Sequence, residues 1–210
     1  NTPFIEPSSA ALLWEEKESL ISNVTYHPGS KMISFFTSGE EGNGVIAAKD
    51  KAGNIIWSWH IWCTDQPQEQ KYVNSAGTFY LLDRNIGATR ADRGSGDQWK
   101  ESMGTLYFWG RKDPFNGNNH ISSGKGRISI DETIKNPNLV QSANGWGEYE
   151  SSWTEVHSKK LWSKDQKTIY DPCPIGYRVG TKDIWLMTTS TSQETTDTKE
   201  FNVSGEFDNG

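Results

Sequence analysis

The sequence predicts a β-rich α+β chain. Sandwich-like antiparallel hairpins fill residues 1–62, and residues 63–210 form a second region with long loops and one short helix. Three observations carry this. Short β-prone runs recur between clusters of turn residues, the spacing of hairpins rather than of helices. The 20 Gly and a hydrophobic share of only 33% suit a loop-rich β chain, whose apolar shortfall is offset by 12% aromatic residues; each ring buries a large area. Finally, Ile55-Ile56-Trp57-Ser58-Trp59-His60-Ile61-Trp62-Cys63 reads in strand alternation.

Leu12-Leu13-Trp14, followed by Glu15-Glu16-Lys17-Glu18, has a pattern that would suit a helix capped by Ser9. The segments after it are all β, so it is assigned to the antiparallel unit. Ile21 to Tyr26 and Met32 to Phe36 flank His27-Pro28-Gly29-Ser30-Lys31 and predict a hairpin with a Pro-Gly turn. Residues 39–44, Gly-Glu-Glu-Gly-Asn-Gly, read as a flexible connection. Val45 to Lys49 is β-prone, and residues 50–54 supply turn residues with Gly53 able to take positive φ. The tryptophan strand is the second arm of that hairpin. In it Ile55, Trp57, Trp59 and Ile61 share one apolar, core-type face. Ile56, Ser58, His60 and Trp62 make a mixed face open to solvent, a loop layer or a second domain.

Beyond Cys63 the texture changes. Residues 66–74 are polar, and Thr78 to Asp83 is the next strand, ended by a turn through Ala88. Residues 89–102 read as a surface loop, and 104–110 as a compact aromatic segment holding Trp109. Residues 116–167 are rich in Asn, Gly, Ser and charge, and loops of that length are often functional. Two prolines stiffen residues 170–179. Thr181 caps a short helix through Ile184, Trp185 and Met187, and Glu200 to Phe207 alternates like a strand. Trp57, Trp59, Ile61, Trp109 and Trp185 are the expected core anchors.

At 210 residues the chain can bury a sizeable core. A net charge of -6, with a pI near 5.3, argues against nucleic-acid binding. Mean hydropathy is -0.73, and no segment approaches the roughly 20 apolar residues of a membrane span. Cys63 and Cys173 are too far apart in sequence for a redox Cys-x-x-Cys pair. One disulfide in an exported chain and two free thiols both stay open, with the free thiols the favoured reading.

No metal or cofactor is expected. His27, His60, His120 and His157 are scattered, without the close spacing that ligates metal. Gly124-Lys125-Gly126 lacks the rest of a phosphate loop, and no serine sits in a Gly-x-Ser-x-Gly elbow. Glu148 and Glu150 lie between Trp146 and Trp153 in a glycine-bearing loop, which gives two carboxylates no fixed separation for glycosidase chemistry. The binding candidates are Trp146, set between glycines, with Tyr149, Trp153, Asn118 and Asn119: rings to stack on a sugar or partner side chain, amides to bond it. Burial of Trp146 against the core is the competing reading.

Four ordered motifs then form a pattern: Gly53 to Trp62, Leu82-Asp83-Arg84-Asn85-Ile86-Gly87-Ala88, Leu106 to Phe115, and Tyr170 to Val179. Together they resemble fimbrillin-like surface proteins of Bacteroidetes. From about Trp57 onward the chain resembles the major paralogous domain first described in Fibrobacter, which is C-type-lectin-like. The resemblance implies an exported protein of the cell surface or outer membrane, processed as a lipoprotein. It implies a non-catalytic adhesion or fimbria-associated module whose partners are a glycan, a surface protein or other pilus subunits. A purely structural pilus subunit and a secreted carbohydrate-active enzyme are the alternatives. The sequence departs from the pattern at Gly180, where members usually carry Pro, and lacks the sugar-coordinating Glu-Pro-Asn and Trp-Asn-Asp motifs of calcium-dependent lectins. The lectin-like part is expected to continue past residue 210, and a leading segment with a lipid-attachment cysteine is expected before residue 1.

Overall fold

The computed structural model describes residues 6–74, 76–92, 94–115, 121–122, 128–140, 154, 161–163 and 165–185. In chain order the strands are β1 (Ser9–Glu15), β2 (Ile21–His27), β3 (Met32–Thr37), β4 (Gly42–Lys49), β5 (Ile55–Cys63), β6 (Glu69–Asn74), β7 (Gly77–Leu82), β8 (Ile121–Ser122) and β9 (Leu139–Val140). Helices α1 (Trp99–Met103) and α2 (Ile130–Lys135) are short. The chain is therefore β-rich with few helices, as its sequence predicts.

β1, β4 and β5 form an antiparallel sheet with β4 in the middle, and β2–β3 is a separate hairpin. Leu20, Ile21 and Ile46 are buried between them, with Leu12, Val24, Ile33, Phe35, Ile61 and Cys63 packed around. The hairpin thus covers one face of the sheet, a two-layer arrangement that buries the apolar side of each element. The predicted turn between β4 and β5 is present. The Asp50 carboxylate accepts from the N–H groups of Ala52 (2.9 Å) and Asn54 (2.8 Å), and Gly53 takes φ +85°.

The Leu12 run pairs with β4 as strand β1, in keeping with its place in the antiparallel unit. Several other expectations are corrected. Gly42, Asn43 and Gly44 are the buried start of β4 rather than a flexible connection. A Cβ on Gly44 would stand 2.5 Å from Ile21 Cδ1 and 3.0 Å from the Trp14 carbonyl, so close packing demands glycine there. Polar residues 69–74 form β6, paired with β7 throughout. Residues 99–103 and 130–135 are helical, the second begun by a capping box in which Ser129 and Glu132 exchange bonds. Of the helix predicted after Thr181, Lys182–Trp185 forms a 3-10 turn, and Met187 lies outside the described residues. The strand expected at 200–207 lies outside the described residues.

Among the expected core anchors, Trp57 is buried and Ile61 packs in the first cluster. Trp59 is 36% exposed, since β5 is an edge strand of its sheet. Trp109 is 38% exposed because it occupies a turn closed by the Arg111 N–H on the Phe108 carbonyl, where Gly110 rather than the indole is pressed against Leu161. The Trp185 side chain lies outside the described residues. A second core gathers Ile128 and Leu161 with Phe108, Ile130, Leu139 and Tyr170. No helix among the described residues is long and apolar enough to cross a membrane.

A Gly44→Ala chain should lose about 2 kcal/mol of unfolding free energy, the usual cost of overpacking. Gly29→Ala, where an added Cβ meets nothing within 4 Å, should stay within about 0.5 kcal/mol of the parent. Urea denaturation of the two variants checks both.

Candidate functional site

The mixed face of β5 meets a loop layer, and its polar groups are all engaged. His60 Nε2 lies 2.9 Å from Asn43 Oδ1 and its Nδ1 lies 2.9 Å from the Tyr107 hydroxyl. Asn43 Nδ2 donates to Glu16 Oε2 and to the Gly87 carbonyl, both at 2.8 Å. Trp62 Nε1 donates to the Ala88 carbonyl at 3.0 Å. Burial holds the His60 imidazole down at about 4, against the opposing pull of Asp113. The Tyr107 hydroxyl is pushed above the ordinary tyrosine range by the same burial.

Ser58, Lys112 and Asp113 form a second knot. The Ser58 hydroxyl donates to Asp113 Oδ1 at 2.8 Å and accepts from Lys112 Nζ. Lys112 Nζ also reaches the Ser58 carbonyl at 3.0 Å and both Asp113 oxygens, at 2.8 and 2.7 Å. It stands 4.6 Å from the Trp57 ring centre, a cation–π contact. A serine beside a lysine invites a nucleophilic reading. Burial also pulls the ammonium below its ordinary value, although Asp113 opposes this. However, Ser58 is 2% exposed and its proton is directed at a carboxylate that already neutralises the lysine. This geometry holds strand to loop and leaves a substrate no approach.

An accessible concavity lies elsewhere. A groove of about 730 Å³ runs between residues 78–81 of β7 and residues 176–181, with Glu69, residues 165–167 and Ile184 completing it. Asp171 builds its far wall: one oxygen accepts from the Cys173 N–H (2.9 Å) and from Lys167 Nζ (3.0 Å), the other from the Val179 N–H (3.0 Å). Lys167 Nζ further donates to the carbonyls of Cys173 (2.6 Å) and Tyr177 (2.9 Å). Two ties join the walls. The Tyr177 hydroxyl donates to Glu69 Oε2 at 2.8 Å, which raises its pKa. Asn74 Nδ2 donates to the carbonyls of Asp183 (2.8 Å) and Ile184 (3.1 Å). Arg178 is exposed on the groove and has no ion-pair partner among the described residues.

The binding candidates Asn118, Asn119, Trp146, Tyr149 and Trp153 lie outside the described residues. Cys63 and Cys173 are both free thiols, so the candidate disulfide is not formed. Burial pushes the Cys173 thiol well above its usual value. The groove residues Tyr80, Tyr177 and Arg178 escaped sequence reasoning. The available signal was Tyr80, a ring on the polar-side phase of a predicted strand, and it is 56% exposed. No protein-family model, curated protein or solved structure matches the chain.

Removing Asp113 should strand a buried ammonium. Asp113→Ala is expected to cost about 3–5 kcal/mol in denaturant titration, while the double change Asp113→Leu with Lys112→Met should recover much of that loss. His60 supplies a pH signature. The unfolded chain binds a proton near 6.5 and the folded chain only near 4. Stability from this group is therefore complete above about pH 6.5, falls by up to about 3 kcal/mol on acidification to pH 4, and then levels. A His60→Gln chain followed over the same range should lack that slope.

Proposed function

We propose that the chain is a non-catalytic ligand-binding module of a bacterial surface adhesion or fimbria-associated protein, exported and held at the outer membrane as a processed lipoprotein. The observation that carries the binding reading is the groove beside β7. It is wide enough for a ligand segment, its walls are fixed by Asp171, Lys167 and the Tyr177–Glu69 bond, and the exposed Arg178 has no ion-pair partner among the described residues. The polar groups best suited to chemistry, Ser58 and Lys112, are satisfied by each other and by Asp113 away from solvent. The adhesion and fimbrial setting comes from the motif resemblance, and the aromatic loop residues Trp146, Tyr149 and Trp153 with Asn118 and Asn119 extend the same reading as further contacts. A structural pilus subunit is the second reading, favoured by the edge of β7 along the groove, which is unpaired among the described residues.

Labelled chain should bind a glycan array or intact bacterial or host cells and release the ligand chemically unchanged. Arg178→Gln and Trp146→Ala should each weaken that binding by about tenfold, or roughly 1.4 kcal/mol. Turnover of a bound glycan would overturn the non-catalytic reading, and binding indifferent to both changes would overturn the assigned contacts.

A further inference from the structure

β7 is paired on one side only among the described residues. The phase of its ladder follows from one bond, the Asp83 N–H to the Gln68 carbonyl at 2.9 Å. The register runs unbroken from Glu69 opposite Leu82 to Asn74 opposite Gly77. Hydrogen-bonded and non-bonded pairs alternate along antiparallel strands. Counting back from Asp83, Leu81, Phe79 and Gly77 turn their backbone groups toward β6. Leu82, Tyr80 and Thr78 turn theirs outward. Thr78 and Tyr80 line the groove, so one of its walls carries a repeating N–H and C=O edge that no described residue covers.

Some polar side chains of the groove are spent on its own walls. Lys167 is surrounded by Asp171 and two carbonyls, and the Tyr177 hydroxyl is tied to Glu69. The strand edge and the Arg178 guanidinium remain, with the exposed side chains of Tyr80, Asp165 and Gln166 beside them. A donor–acceptor repeat two residues long matches another polypeptide strand better than it matches a sugar ring. The contrast with β5 is informative: Lys112 occupies its Ser58 carbonyl, whereas β7 has no such guard.

We propose that the open edge of β7 captures an extended peptide strand of a second protein, with a carboxylate of that strand paired to Arg178. The proposal rests on the groove being the binding site and names its ligand class. Alternate side chains of the incoming strand cover Phe79, Leu81, Val179 and Ile184, and the intervening ones face solvent.

A phage-displayed library of random dodecapeptides selected on the whole chain tests this. The enriched sequences should alternate apolar with polar residues and hold Asp or Glu at one fixed position. A synthetic peptide of that sequence should slow hydrogen exchange at the Thr78 and Tyr80 amides by about tenfold, with little change at Phe79 and Leu81, which are already bonded. Arg178→Gln should weaken its binding about tenfold. Tyr80→Pro removes an outward N–H together with the ring, and Tyr80→Ala removes the ring alone, so the proline change should lower affinity further than the alanine while β6–β7 survives; N-methylation of alternate peptide residues should lower affinity without altering the protein. Failure to enrich any peptide, or enriched peptides that leave the Thr78 and Tyr80 amides unprotected, overturns the proposal. Glycan binding that Arg178→Gln abolishes, with no peptide selected, would overturn the strand while leaving the adhesion reading intact. Absence of both kinds of ligand would overturn the two together.

Discussion

Asn43, Ser58 and His60 leave the central sheet on the same side, and the rest of the chain is arranged around what they require. Register places Val45 opposite His60 and Ala47 opposite Ser58, with Asn43 opposite Trp62. The face that bears these polar groups is buried, Asn43 and Ser58 to 2% exposure each. An unsatisfied buried polar group costs roughly 1–3 kcal/mol. Three of them would consume much of a domain's net stability, which is only about 5–15 kcal/mol. Their partners come from residues far along the chain: the Gly87 carbonyl, the Tyr107 hydroxyl and the Asp113 carboxylate. The loop layer therefore docks on β4 and β5 in one arrangement, the one in which those bonds form.

That docking sets the position of the second core and, through it, the groove. Residues 107–113 are held on β5, which places Gly110 against Leu161 and Phe108 in the cluster with Ile128 and Tyr170. Arg111, itself buried, donates to the carbonyls of Pro137 and Leu139 and so fixes the chain leaving α2. Trp162 Nε1 donates to the Tyr170 carbonyl, and Tyr170 lies 6.3 Å from Trp57 ring to ring. From Tyr170 the chain enters the segment that Asp171 organises. The groove wall is thus connected to the tryptophan strand by a continuous series of packed and bonded residues.

The hairpins were legible because their information is local. Turn residues at 27–31 and 50–54, and the β-prone runs around them, need no distant partner to be interpreted. The misreadings share a cause. Gly42, Asn43 and Gly44 carry no hydrophobic signal, yet they are strand because Glu16, Trp62 and Ile61 stand beside them. β6 is polar because its hairpin is half exposed, so only β7, its partner, showed a strand pattern. The apolar face of β5 was identified correctly as a set, but alternation does not reveal where a sheet ends, and Trp59 sits on an edge strand. Of the groove, the stiffness of residues 170–179 could be read from Pro172 and Pro174. Its far wall depends on Asp171 reaching Val179 and on Tyr177 reaching Glu69, bonds that no spacing announces.

The two kinds of strand edge in this chain show why architecture and function separate. An unpaired edge is an invitation to another strand, and proteins suppress it where it serves no purpose. β5 is suppressed: Lys112 lies along it, anchored by Asp113 and the Trp57 ring, and takes the Ser58 carbonyl for itself. The same lysine cannot serve a ligand, because its charge is already compensated in a site closed to water. β7 is different in each respect. Its outward groups have no partner among the described residues, a fixed wall stands opposite, and Arg178 on that wall is exposed. The bonds that satisfy Asn43, Ser58 and His60 lie where the fold must hold, whereas the groove presents a strand edge and an exposed cation to what approaches it.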